Sequence, residues 1–146
     1  MKTRYRFLMA LHLFVGVGAL GGGLAGMLDP EEPLGIPVDL LEQSPFENYF
    51  IPSLILFTVI GLGHVFSAFS TVYFPKRQGY ISSVFSWALV IWIVVQVLLM
   101  RVVAFLHVLY FLIGLVGAIL ALRILIEQRA FPVNLFMKDG LERREK

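Results

Sequence analysis

Two histidines stand out because each interrupts an apolar run long enough to cross a bilayer. His12 is the one His, Lys, Arg, Asp or Glu between Phe7 and Leu28, and His64 is the one between Ile51 and Phe74. Imidazole ligates transition metals and haem iron, and it exchanges protons near neutral pH. An ionisable side chain at membrane depth is costly and is a functional candidate by default. At about 1.5 Å of rise per residue both rings fall in the inner half of the bilayer, about 6 Å apart in depth. Two readings follow. The pair can hold a metal or a bis-histidine haem, or each ring is neutral and bonded to a backbone carbonyl or to Ser67.

A second polar group sits near the opposite surface: Gln96, Arg101, His107 and Tyr110. Gln96 breaks the run Ile91-Trp92-Ile93-Val94-Val95, so it should face another helix. Arg101 can reach outward and pair with acids of the neighbouring loop, such as Asp39, Glu42 or Glu47. These residues read either as a polar clamp or as a small outward-facing pocket for an apolar ligand such as a quinone.

The elements that must position these groups follow from composition. The 146 residues are 58% hydrophobic and 15% charged, with a mean hydropathy of +0.82. Soluble domains carry about 45–50% apolar and about 25% charged residues, so this is not an ordinary water-soluble domain. There is no cysteine. Disulfides, thiol redox chemistry, cysteine nucleophiles and thiolate-held iron–sulfur clusters are therefore excluded.

The apolar runs predict an all-α, integral membrane four-helix bundle as a single domain over 1–146. Its spans are expected at 7–28, 51–74, 80–100 and 103–126, with an outer loop at 29–50 and a cytoplasmic tail at 127–146. Residues 80–122 are too long for one crossing, since a bilayer core is about 30 Å thick, so the chain must reverse near Arg101. The first run is too long for a signal-peptide core and is expected to stay as a helix.

Basic residues give the orientation. Of the 12 Lys and Arg residues, all except Arg101 fall at the N-terminus, in the 75–79 loop, or from Arg123 onward. If four helices cross, those three places share one side. Both termini are expected in the cytoplasm of a bacterial inner membrane, and the basic balance needs no nucleic-acid partner. The 29–50 loop carries Asp29, Glu31, Glu32, Asp39, Glu42 and Glu47 and no Lys or Arg. It reads as a short acidic extracytoplasmic cap. Within it, 38–43 is expected to form a short helix with Leu40 and Leu41 toward the membrane surface. Phe46, Tyr49 and Phe50 would stand in an aromatic belt.

Gly16-x-Gly18-x-x-Gly21 spells a dinucleotide fingerprint, but that motif needs a preceding strand and a βαβ unit. Inside a span, Gly18, Gly22 and Gly26 read better as a small-residue face for helix packing. Gly114 with Ala118, Gly117 with Ala121, and Gly63 with Ser67 offer similar faces. Arg123 and Glu127, one turn apart, are expected to pair. No metalloprotease, serine-hydrolase or Walker motif occurs. The spans contain no acid of the kind that proton-coupled exporters use.

The segment Gly35-Ile-Pro-Val-Asp-Leu-Leu-Glu-Gln-Ser-Pro-Phe46, the following Tyr49-Phe-Ile-Pro-Ser-Leu-Ile-Leu56 and the later Ile91-Trp92-Ile93-x-x-Gln96 resemble a group of small bacterial four-span membrane proteins of uncharacterised activity. The resemblance implies a four-span fold with a retained outer cap and carries no activity. A looser likeness, in span count, is to DoxX-type four-helix proteins, some of which associate with quinol oxidation. The expected role is a non-catalytic accessory subunit or scaffold, working on another membrane protein or as a homo-oligomer. The alternative is a haem-, quinone- or other apolar-ligand-binding protein that uses His12 and His64, or the outward pocket at Gln96 and His107.

Overall fold

The computed structural model describes residues 3–128. Lys2 and the basic tail from Arg129 to Lys146 lie outside the described residues. Four helices, α1 (Thr3–Leu28), α2 (Phe50–Tyr73), α3 (Gln78–Met100) and α4 (Phe105–Glu127), are long and apolar enough to cross a membrane. The described residues contain no strand. Pro52 sits in the first turn of α2, where its missing N–H costs nothing, and α2 stops two residues before Pro75.

Polarity is inverted relative to a soluble bundle. Phe14, Val17, Phe66, Phe69, Val84, Trp87, Ile91, Leu112 and Ile119 are exposed, whereas His12, His64, Ser67, Ser70, Gln78, Ser82 and Ser86 are buried. An apolar exterior of this extent suits a lipid solvent. Buried polar groups across helices then supply cohesion that apolar contacts alone do not give in lipid.

The helices pack as neighbours in sequence: α1 along α2 and α3 along α4, with α2 also meeting α3 and α1 meeting α4. Glycines set the α1–α2 spacing, in a different register from the expected one. A Cβ at Gly23 would lie 2.8 Å from the Phe57 nitrogen, one at Gly16 would lie 3.2 Å from the Gly61 carbonyl, and one at Gly61 would lie 3.2 Å from the Leu20 nitrogen. Of the expected face, only Gly26 meets α2 tightly, at Ser53, while Gly22 has ordinary contact with Leu56 at 3.6 Å and Gly18 faces the Tyr110 hydroxyl. A four-residue repeat drifts around a helix, and the spacing of seven between Gly16 and Gly23 keeps to one seam. Gly114 and Gly117 seat α4 against Val90 and Ser86 of α3.

Two features interrupt helix regularity. Leu56–Leu62 of α2 is π-helical. At the α3–α4 reversal Arg101 takes a left-handed backbone, φ 53°, and its N–H donates to the Val97 carbonyl at 2.8 Å. A non-glycine residue there costs about 1–2 kcal/mol. The reversal therefore occurs without Gly or Pro.

At one end of the bundle Gln128 Nε2 donates to the Pro75 carbonyl at 3.1 Å and to the Tyr5 hydroxyl at 3.3 Å. Glu127 pairs with Arg4 rather than with Arg123, and this is the one ion pair among the described residues. The start of α1, the α2–α3 loop and the end of α4 thus share one end, together with the basic residues they carry.

At the other end lies the cap. Its expected helix is a shorter 3-10 turn, Val38–Leu41. Leu41 is 3% exposed and the turn rests on α3, so Leu41 belongs to the core and not to a membrane-facing surface. Tyr49 fastens the cap in the same way: its N–H donates to the Pro30 carbonyl at 2.9 Å and its hydroxyl to the Pro37 carbonyl at 3.1 Å. Burial holds the Tyr49 phenol above its ordinary pKa of 10.0. Its stabilising contribution is therefore full below about pH 10 and is lost as pH rises through the higher folded value. Tyr49→Phe is expected to loosen the cap by about 1 kcal/mol, read as faster amide exchange over residues 30–49. The alkaline loosening of the unaltered chain, followed by tyrosinate absorbance, should be absent from the variant.

Candidate functional site

The candidate site is a buried polar network at the basic end of the bundle, built by α1, α2 and α3. Each helix contributes residues at helical spacing. Gln78 and Ser82 stand four residues apart on α3, and Ser86, one turn further, is buried on the same face without a hydrogen-bond partner for its Oγ. His64, Ser67, Ser70 and Thr71 follow one face of α2, and His12 comes from the buried face of α1 that also holds Leu8 and Val15. All of these polar residues are at most 3% exposed.

Ser82 is the hub. Its Oγ accepts from Gln78 Nε2 at 2.6 Å and lies 2.9 Å from His12 Nε2 and 3.2 Å from Ser67 Oγ. Gln78 Nε2 also reaches the Ser67 carbonyl at 3.3 Å, and Gln78 Oε1 accepts a short hydrogen bond from Ser70. One amide on α3 thereby holds two turns of α2. The Ser70 Oγ also lies 2.7 Å from the Ser67 carbonyl, so its one proton is shared between that carbonyl and Gln78 Oε1, and the Thr71 hydroxyl donates to the same carbonyl at 3.4 Å.

The structure brings His12 and His64 together, with ring centroids 5.0 Å apart and planes tilted by 57°. His64 Nδ1 lies 2.9 Å from the Ile60 carbonyl. A carbonyl only accepts, so Nδ1 carries the proton and Nε2 of the neutral ring is a bare acceptor. That Nε2 has no hydrogen-bond partner, and neither does His12 Nδ1. Since Gln78 supplies a proton to the Ser82 oxygen, the Ser82 hydroxyl is left to donate to His12 or to Ser67. If it donates to His12, the unused His12 Nδ1 is a donor beside the unused His64 acceptor.

These rings do not fit a haem. Both are 0% exposed, and rings 5.0 Å apart leave no slot for a macrocycle between them. Among the described residues no cluster of three or more His, Asp or Glu forms a metal site. Toward the cap the network is closed by an apolar layer of Val15, Ala19, Ile60, Leu89, Trp92 and Ile93.

The outer residues are not gathered into one clamp. Tyr110 turns to α1, stacking on Phe14 at 6.0 Å. Gln96 is half-buried, and Arg101 is exposed without an ion pair to the acidic cap among the described residues. His107 caps its own helix: its Nδ1 accepts the Ala104 N–H at 3.0 Å. Beside it a cleft of about 270 Å³ runs between α3 and α4, lined by Ile93, Val94, Val97, Leu98, Val103, Val108 and Phe111 together with His107.

Sequence reasoning missed Ser82 as the partner of His12, and Gln78, Ser70 and Thr71 as the network behind it. The available signal was their spacing of three and four within apolar helices. No protein-family model, curated protein or solved structure matches the chain.

Proposed function

We propose that the chain is a small multi-pass protein of the bacterial cytoplasmic membrane, with both termini in the cytoplasm. In this reading it acts as a non-catalytic accessory subunit or scaffold, through the lipid-facing sides of its helices, on another membrane protein or on a second copy of itself. The observation that carries the reading is the division of labour among side chains. His12, Ser67, Ser70, Gln78 and Ser82 are spent on hydrogen bonds between helices, and the polar groups of the network are sealed from solvent. The apolar side chains cover the outside. On α1, Gly21 is exposed and has no neighbour within 4 Å of a built Cβ, so a partner helix can approach there. Purification in a gentle detergent followed by native mass spectrometry should recover a defined complex or oligomer. A strictly solitary monomer would count against the role.

A second reading rests on the two unpartnered imidazole nitrogens. A buried polar atom without a partner costs about 1–3 kcal/mol, and such an atom in a native structure calls for an explanation in function or in a bound species. In this reading the pair takes up a proton or a single small ligand from the basic end. Replacing both rings, His12→Phe with His64→Leu, is then expected to leave thermal stability unchanged or raised while removing the uptake. Histidine nitrogen resonances followed against pH in lipid nanodiscs check this. Rings that stay neutral with unchanged shifts across the range where the protein remains folded would leave them a packing role only.

A further inference from the structure

The end of the bundle formed by the start of α1, the α2–α3 loop and the end of α4 is unbalanced in charge. Its described residues include Arg4, Arg6, Lys76, Arg77 and Arg123 against the single acid Glu127, and Glu127 is occupied by Arg4. Lys76 and Arg77 are adjacent, exposed and without an ion pair among the described residues. With Tyr73, Phe74 and Pro75 they line an open cleft of about 450 Å³ whose wall exposes polar as well as apolar atoms. Tyr73 and Phe74 are exposed where the apolar span of α2 ends. The backbone of this loop is held at several points. Phe74 N–H donates to the Ser70 carbonyl at 2.8 Å and Arg77 N–H to the Phe74 carbonyl at 2.9 Å. The Pro75 carbonyl accepts from Gln128 Nε2 at 3.1 Å, and the next residue, Gln78, is anchored in the buried network. A ligand that gathers the two cations therefore has to order little more than their side chains.

We propose that this cleft binds the headgroup of one anionic phospholipid of the adjoining leaflet, with its phosphate between Lys76 and Arg77 and its glycerol and upper acyl chains against Tyr73 and Phe74. Guanidinium binds phosphate through paired, charge-assisted hydrogen bonds, and the lysine ammonium adds a point charge. Aromatic rings at the edge of a span sit at headgroup level. The cleft thus joins two requirements in one loop. A soluble anion would use the cations and leave the rings bare, and an uncharged lipid would do the reverse. A zwitterionic lipid would bring its own ammonium beside two cations that already lack a counter-charge. The proposal rests on the helices crossing a bilayer, and on no particular partner, activity or side of the membrane.

The test uses the full chain, stripped of lipid in a neutral detergent, with native mass spectrometry counting bound phosphatidylglycerol or phosphatidylcholine as each is titrated. One phosphatidylglycerol should bind saturably and more tightly than phosphatidylcholine. Lys76→Gln and Arg77→Gln should each weaken it about fivefold, and together about 25-fold, the worth of one and two basic residues at an anionic lipid. Phosphatidylcholine should bind the variants and the unaltered chain alike. Arg6 and Arg123 are exposed at the same end and do not line the cleft. Arg6→Gln and Arg123→Gln remove the same charge and should weaken phosphatidylglycerol less than about twofold. Soluble glycerol phosphate in large excess should not displace the lipid. Equal losses in all four single variants, undiminished binding by the double variant, equal binding of the two lipids, or displacement by glycerol phosphate would each overturn the site. A chain that stays in solution without detergent would overturn the membrane reading instead.

Discussion

Gly23→Ala is expected to destabilise the bundle by about 2–3 kcal/mol, through forced overpacking between α1 and α2. The added Cβ would sit 2.8 Å from the Phe57 nitrogen and 2.9 Å from its Cα. Both are backbone atoms and cannot swing aside as a side chain would, so the two helices must separate. Separation would also loosen Gly16 from Gly61 and draw His12 away from His64. The gain in helix propensity from Gly to Ala, about 1 kcal/mol, offsets only part of this. Gly21→Ala is the control, because a Cβ there meets nothing within 4 Å, and it should be neutral or stabilising. Reversible unfolding of both variants by sodium dodecyl sulfate in mixed micelles gives the difference. Equal stability of the two would show that α1 and α2 do not approach at Gly23.

The second large effect is expected at Ser82. Ser82→Ala removes the acceptor for Gln78 and the hydroxyl beside His12 Nε2 and Ser67. Gln78 keeps the Ser67 carbonyl at 3.3 Å, but His12 Nε2 joins His12 Nδ1 as an unpartnered buried atom. At about 1–3 kcal/mol per bared group, a loss of about 3 kcal/mol is expected. Adding His12→Phe should recover part of it, because removing both partners of a hydrogen bond costs less than removing one. The non-additivity of the pair, measured by the same unfolding assay, is the signature of a shared network. Strict additivity would mean that Ser82 and His12 do not depend on each other.

Length and hydropathy were sufficient to read four helices and a reversal near Arg101, because a crossing helix declares itself by about 20 consecutive apolar residues. Depth was legible for the same reason: a fixed rise per residue puts His12 and His64 at similar levels without any knowledge of packing. Facing was harder. The glycine seam of α1 runs through Gly16, Gly23 and Gly26, whereas Gly18, Gly22 and Gly26 make the more regular pattern in the letters. Six glycines between positions 16 and 26 allow either choice, and only the partner surface of Phe57 and Gly61 selects one. Ion pairing was illegible in the same way. Arg123 lies one turn from Glu127, but Arg4 arrives from the other end of the chain. Serine and glutamine gave a weak signal because they are tolerated in helices as lone back-bonding residues, and Gln78 stands at a helix start where polar residues are common.

The π-helical stretch Leu56–Leu62 has a consequence for how this chain can gain or lose residues. A ring closed from i to i+5 holds one residue more than an α-helical ring, so everything beyond it is turned by about 100° relative to an uninterrupted helix. His64, Ser67, Ser70 and Thr71 owe their inward orientation to that extra residue. Most single-residue deletions in a buried helix rotate one half of it out of place. A deletion within 56–62 would let the stretch relax to α-helix with both halves still in phase. An insertion there has no such outlet, because the slack is already taken up.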